Sequence, residues 1–136
     1  MPQTAKWLAQ MESVVGAKGF TSARDEMAPW LTDWRGRYTG AAAAMISPAT
    51  TLETAEILKI ANANSVAIVP QGGNSGMVGG ATPDNSGQSV LLSLRRMNNI
   101  RSITAEDQLV ICEAGVILQN LHEALATHGQ RFPLTL

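Results

Sequence analysis

The sequence predicts an α/β (α+β) fold, a small parallel sheet flanked by helices. Three observations carry that prediction. Residues 41–70 read as strand, helix, strand, the size of a parallel βαβ unit. Two short strand-like runs, the β-branched Ser65–Val69 and the apolar Val90–Leu94, stand either side of a glycine-rich segment. Amphipathic stretches at 4–18 and 117–128 supply helices at the two ends.

In chain order, Trp7, Leu8, Met11, Val14 and Val15 fall at helical spacing, and Gly19 is read as the stop. A short second helix over 21–29 is expected to end at Pro29. The segment Trp30-Leu31-Thr32-Asp33-Trp34-Arg35-Gly36-Arg37-Tyr38 has no periodicity and reads as an ordered loop. Residues 41–47 combine helix-favouring alanine with a following Pro48, which drives Ser47 extended; we read a buried strand. Thr50 and Glu53 have the spacing of a capping box, opening a helix to about Ala63. Its wide apolar face is made of Leu52, Ala55, Ile57, Leu58, Ile60 and Ala61, with Asn62 and Asn64 as punctuation. Ser65–Val69 is expected to be a strand buried on both faces. Ile100–Ile103 and Leu109–Ala114 flank Ala105–Gln108 as an antiparallel hairpin. A helix over Ile117–His128, with Leu118, Leu121, Ala124 and Leu125 on one face, closes at Gly129.

A chain of 136 residues is about one domain. Apolar residues make up 45% and charged residues 15%, a globular composition that argues against intrinsic disorder. A formal net charge of −1 builds no broad cationic surface, so nucleic acid is not an expected partner. The single cysteine, Cys112, rules out an intrachain disulfide, and with only His122 and His128 beside it no metal site is expected. The start MPQTAKWLAQ lacks a signal-peptide core, and no run approaches the roughly 18 apolar residues of a membrane span. The expected location is the cytoplasm. The chain's last residues, Phe132-Pro133-Leu134-Thr135-Leu136, are an apolar run, which we read as a cut out of something longer. Apolar surface left by such a cut is expected to favour a homo-oligomer.

The chemistry is concentrated in Val69-Pro70-Gln71-Gly72-Gly73-Asn74-Ser75-Gly76-Met77-Val78-Gly79-Gly80. A strand runs into a loop with five glycines in nine residues. Glycine has no Cβ to hold an anion away, so successive backbone amides can converge on one. Asn74 and Ser75 add short polar side chains. No Lys or Arg stands between Lys59 and Arg95, so the expected ligand is a phosphate or diphosphate neutralised by backbone dipoles. A Walker A loop is excluded by the missing Lys. A Rossmann fingerprint is excluded by the spacing of Gly73, Gly76 and Gly79 in threes and by the strand that follows. A plain flexible turn is the alternative, and Met77 and Val78 within the loop count against it.

The run Pro70-Gln71-Gly72-Gly73-Asn74-Ser75-Gly76 with Gly79-Gly80 resembles the flavin-diphosphate loop of the vanillyl-alcohol-oxidase (PCMH-type) FAD-binding domain. Within that superfamily it is most similar to the D-2-hydroxyglutarate, D-lactate and glycolate dehydrogenase branch. Asp33–Tyr38 with Gly40, Leu94 with Met97-Asn98, Ala114-Gly115-Val116 with Leu118, and Phe132-Pro133-Leu134 resemble further segments of that branch. The resemblance implies the first subdomain of such a domain plus the start of the second. Residues 1–40 would be a helical lead-in and ordered loop. Residues 41–94 would be the βαβ unit with the loop at 70–80. Residues 95–136 would be the hairpin and helix that begin the second subdomain, with the substrate domain absent. It implies FAD held non-covalently by Pro70, Gln71, Gly72, Gly73, Asn74, Ser75, Gly76, Met77, Gly79 and Gly80, with Pro133 and Leu134 along the flavin. Some covalent members carry His where Asn74 stands, and Asn cannot form that link. The implied activity is oxidation of a D-2-hydroxy acid, a small-molecule substrate, by hydride transfer to flavin N5. The fragment alone would be inactive, its catalytic acid/base lying outside this chain. The rival readings are a non-catalytic nucleotide- or phosphate-binding module and a structural domain with a plain glycine turn.

Outside that loop the residues read plainly. Arg35 and Arg37 either reach an anion, sit in solvent, or pair with Asp33. Arg95 and Arg96 are read as surface residues at a strand end, Cys112 as a buried small hydrophobe, Trp7 as core, and Trp30, Trp34 and Tyr38 as a packing cluster. His122 and His128, six apart, lack metal-ligand spacing.

Overall fold

A computed structural model describes residues 3–135. Leu136, the end of the apolar run, lies outside the described residues. The first helix, α1, covers Gln3–Val15 and ends earlier than the sequence predicted. Gly16 takes a φ of 66°, which terminates it, and the residues up to the expected stop form a 3₁₀ turn, Ala17–Gly19. A two-residue strand not anticipated from sequence follows, β1 (Phe20–Thr21). The expected second helix is one turn, α2 (Arg24–Met27), continued as 3₁₀ over Ala28–Trp30, so Pro29 sits inside the turn. The remaining elements are β2 (Ala44–Ile46), α3 (Thr51–Ala63), β3 (Ile68–Gln71), β4 (Val90–Ser93), β5 (Ile100–Thr104), β6 (Leu109–Cys112) and α4 (Leu118–Ala126).

Four strands form the main sheet in the order β1-β2-β4-β3. β2 and β3 both run parallel to β4, with Ala44 and Ile68 each opposite Val90, and β1 closes one edge antiparallel to β2. The strand–helix–strand of residues 41–70 is therefore present, but its two strands do not touch. β4, arriving later in the chain, lies between them.

Strand periodicity sorts the core into two layers. Ala44, Ile46, Val90 and Leu92 face α1 and α3, where they meet Trp7, Met11, Val15, Ile57 and Ala61. Met45 and Leu91 point to the other face and pack on Met27 and Leu31. β2 and β4, the two inner strands, are buried throughout. β3 is not buried on both faces as expected. It is an edge strand with half-buried Ile68 and Val69, and its exposed Pro70 is tolerated there because an edge leaves one row of amides unpaired.

α3 is capped as the sequence predicted. The Thr50 hydroxyl accepts the Glu53 amide at 3.1 Å, and the Glu53 carboxylate returns to the Ala49 amide at 2.7 Å. Its apolar face is narrower than expected: Ile57 and Ala61 are buried and Ile60 half-buried, whereas Leu52, Ala55 and Leu58 face outward. The hairpin β5–β6 forms with the expected strands and a bulge between Ile100 and Ser102. It stands apart from the main sheet as a separate two-stranded unit, so Leu109, Ile111 and Cys112 are exposed. That corrects the reading of Cys112 as a buried hydrophobe. Arg96 is likewise corrected from a surface residue: half-buried, it donates to the Ser47 carbonyl at 2.7 Å.

Candidate functional site

The glycine loop begins where β3 ends, and two amide side chains fix its course. Gln71, the last residue of β3, is only 1% exposed. Its Nε2 donates to the Ala81 carbonyl at 2.9 Å, just past the loop's far end, and to the Trp30 carbonyl, also at 2.9 Å. Asn74, in the left-handed region at φ 54°, donates Nδ2 to the Thr32 carbonyl at 2.8 Å. Asn tolerates that conformation better than most residues with a Cβ.

Segment 30–40 is thus the wall on which the loop leans. Its own shape comes from Asp33, whose carboxylate accepts the amides of Arg37 and Tyr38 at 2.7 Å and of Arg35 at 3.3 Å. These hydrogen bonds, the Tyr38 amide foremost, hold the Asp33 carboxyl below its ordinary pKa. A bridge between Thr32 and Thr39 closes the turn. The Tyr38 ring lies against Gly79, so close that a Cβ there would sit 3.0 Å from it. Trp34 and Tyr38 are both 57% exposed, so the expected aromatic packing cluster is not formed. Arg35 lies over the Trp34 ring and Arg95 over the Trp30 ring, at 5.1 and 5.4 Å from their centroids.

Between those tethers the loop backbone is bare. Among the described residues, no amide from Gly72 to Gly80 donates a hydrogen bond within the chain. At Gly72, Gly73, Gly76 and Gly80, the space a Cβ would occupy has no neighbour within 4 Å. This is a row of donors with no partner within the chain, on an open surface, free to donate to an anion.

Gly72, Gly73 and Ser75 line one wall of a cleft of about 670 Å³. The opposite wall is Ala114–Asn120, the turn into α4. That wall is held close by Gly115, whose amide donates to the Met97 carbonyl at 2.8 Å. A Cβ at Gly115 would overlap the Leu94 carbonyl oxygen, 1.9 Å away, so no other residue fits without moving the turn. Arg95 and Asn98 complete the floor with Trp30, and Arg95 is the one Lys or Arg lining the cleft.

The structure divides the sequence-predicted residues. It brings Gly72, Gly73 and Ser75 to the cleft; Asn74, Gly76, Met77, Gly79 and Gly80 continue the loop outside its lining. Pro70 is exposed on the edge strand, while the Gln71 side chain is turned into the protein and away from any ligand. Pro133 and Leu134 do not reach the cleft. Pro133 lines a neighbouring hollow with Phe132 and Leu125, Leu134 is exposed, and Thr135 borders the cleft in their place. Sequence reasoning missed Arg95, Asn98, Gln119 and Asn120 as cleft residues. The signals near them were the pairing of Leu94 with Met97-Asn98 and the run Ala114-Gly115-Val116 with Leu118. His122 also borders the cleft, with Nε2 3.1 Å from the Phe132 carbonyl. Among the described residues no group of His, Cys, Asp and Glu could hold a metal ion, and no helix is long and apolar enough to cross a membrane.

A mixed sheet whose edge strand feeds a loop of free amides has the form of an anion-binding α/β domain, and comparison with known proteins identifies the family. The family described as FAD binding domain matches residues 42–136, and the chain belongs to it. FAD is accordingly the cofactor of this family, and the free amides and open glycines suit its diphosphate. The chain is 34% identical over 132 residues to the mitochondrial D-2-hydroxyglutarate dehydrogenase of Arabidopsis thaliana, covering 97% of this chain and 23% of that one. It is 35% identical over 129 residues to the mitochondrial D-2-hydroxyglutarate dehydrogenase of Bos taurus, covering 95% and 23%. Among solved structures, p-cresol methylhydroxylase superimposes with a TM-score of 0.80 at 22% identity, over 95% of this chain and 26% of that one. These matches bear out the PCMH-type fold. The chain spans about a quarter of the length of the proteins it matches.

Proposed function

We propose that this chain forms the diphosphate-binding portion of an FAD-dependent oxidoreductase that acts on a D-2-hydroxy acid. The observation that carries the reading is the uninterrupted run of unpaired amides from Gly72 to Gly80, facing open space at four glycines. Family membership says which dinucleotide the amides serve, and the two D-2-hydroxyglutarate dehydrogenases support the substrate class.

Bound there, FAD supplies a two-electron acceptor for the oxidation of a carbon bearing a hydroxyl. The chain's residues do the holding. The amides of Gly72, Gly73 and Ser75 on the cleft wall would donate to phosphate oxygens, the Ser75 hydroxyl would add a further donor, and Arg95 stacked on Trp30 would supply the one guanidinium near a doubly charged group. The turn at Gly115 fixes the facing wall. Asn74 offers no nucleophile and its NH2 is engaged by Thr32, so the cofactor is held without a covalent link at this loop.

Titration of the protein with FAD and with ADP tests the reading, and replacing Gly73 by Val is the decisive variant. A Cβ at Gly73 meets no atom within 4 Å, so a branched side chain crowds the open surface of the loop without a clash at its root. Gly73→Val is expected to weaken both ligands by roughly tenfold or more and to leave the melting temperature nearly unchanged. Equal binding by wild type and variant would remove the cradle. Acid precipitation of the FAD-loaded protein is expected to leave all the flavin in the supernatant; flavin in the pellet would overturn the non-covalent assignment.

A further inference from the structure

We infer that Gln71 and Asn74 are positioning residues for the diphosphate loop and do not themselves touch the ligand. The inference rests on the cradle reading above and extends it to what holds the cradle in shape.

Nine consecutive residues without an internal amide hydrogen bond, five of them glycine, would ordinarily be mobile. A floppy row of donors makes a poor anion site, because ordering it at the moment of binding consumes the interaction energy. Beside Tyr38 against Gly79 and Arg35 on the Met77 sulfur, two less exposed amide side chains supply the order here. Gln71 stands at the loop's first foot and its Nε2 reaches the Ala81 carbonyl at the second foot, so one amide group closes the loop at its base. The same Nε2 holds the Trp30 carbonyl, which docks that base on segment 30–40. Asn74 fastens the middle of the loop to the Thr32 carbonyl on the same segment. All three acceptors are backbone carbonyls, and the segment offering two of them is itself rigidified by Asp33. Neither donor is free for a ligand: Gln71 is fully buried and Asn74 half-buried.

Burial of Gln71 also has a cost that a ligand-independent role explains. Its Oε1 has no hydrogen-bond partner although it is buried. An unpaired buried carbonyl is unfavourable, and a Met of similar length would avoid it. A Met, however, could not bridge the Trp30 and Ala81 carbonyls. Glutamine at this position is accounted for by its two donated hydrogen bonds.

The test compares wild type with Gln71→Met, which keeps the shape and removes the donors, and with Asn74→Asp, which keeps the tolerance for positive φ and removes the donor. Two quantities are read: backbone NMR order parameters for Gly72 to Gly80 in the ligand-free protein, and affinity for FAD and ADP. In wild type the loop amides are expected near the rigid value of about 0.85, and in each variant to fall below about 0.6, with α3 unchanged. Gln71→Met is expected to weaken FAD and ADP alike by about three- to tenfold. Lower affinity with loop order unchanged would make these residues ligand contacts and overturn the inference. A lower melting temperature with order and affinity both unchanged would reduce them to fold stability and overturn it too. If Gln71→Met does not fold, the order parameters of Asn74→Asp decide alone. Wild-type protein that binds neither FAD nor ADP would overturn the cradle reading and this inference together, whereas unchanged variants of a binding wild type overturn the inference only.

Discussion

The Asp33 carboxylate gathers the amides of Arg35, Arg37 and Tyr38 and gives segment 30–40 its shape. Its pKa in the folded protein lies below the ordinary value of 3.8, the Tyr38 amide being the largest cause. A carboxylate shifted in this direction stabilises the fold at every pH above its unfolded pKa. The contribution is lost as pH falls through the folded value. Asp33→Asn is therefore expected to melt at a lower temperature than wild type at neutral pH, with the gap closing below about pH 3.8. Thermal unfolding followed by circular dichroism between neutral pH and about pH 2 checks both halves of the statement. Little of this was legible in advance. The sequence offered Asp33 only as a partner for nearby arginines, because a side chain that caps a turn and one that forms an ion pair have the same composition around them. Gln71 and Asn74 were visible as polar residues in a glycine loop, but their acceptors lie 41, 10 and 42 residues away. No local pattern encodes that distance. The free amides were foreseeable, since glycine spacing reports on backbone access and not on partners.

At the scale of elements, α3 shows how far apolar spacing can be trusted. Ile57 is wholly buried between the sheet and α1, whereas Leu58, its neighbour, is 46% exposed. Ile57→Ala should cost roughly 2–5 kcal/mol, the range for emptying a packed core site. Leu58→Ala should stay within about 0.5 kcal/mol, the usual effect of a surface change. Urea unfolding of the two variants measures the contrast, and similar losses would mean that the helix is seated differently. The capping box predicted where α3 starts, and the hairpin strands were found within a residue or two, because caps and β-branched runs are local signals. Which third of a helix is buried depends on the sheet it meets, and that sheet includes a strand about 30 residues further on. Cys112 failed for the same reason: an apolar run in β6 could not disclose that the hairpin stands outside the main sheet and leaves Cys112 exposed.

In the whole molecule, two units of unequal support share one chain. The main sheet has a packed layer on each face, and the β5–β6 pair has mostly half-buried or exposed side chains. An isolated two-stranded ribbon is marginal in water, so amide hydrogen exchange should distinguish the two. Protection in β5 and β6 is expected to be at least about tenfold lower than in β2 and β4. Equal protection would mean one cooperative unit. The overall class of fold was legible from alternating strand and helix signals, but the strand order was not, since pairing between parallel strands leaves no trace in either one alone. That order has a consequence for biosynthesis. β4 is one of the two inner strands of the sheet and the last of its four strands to leave the ribosome. Until Ser93 has emerged, β3 has no neighbour at all and β2 has only the two-residue β1. The strand that feeds the glycine loop therefore stays unpaired until β4 is complete, and a stall before residue 93 would release a polypeptide that has only the β1–β2 pair of the main sheet.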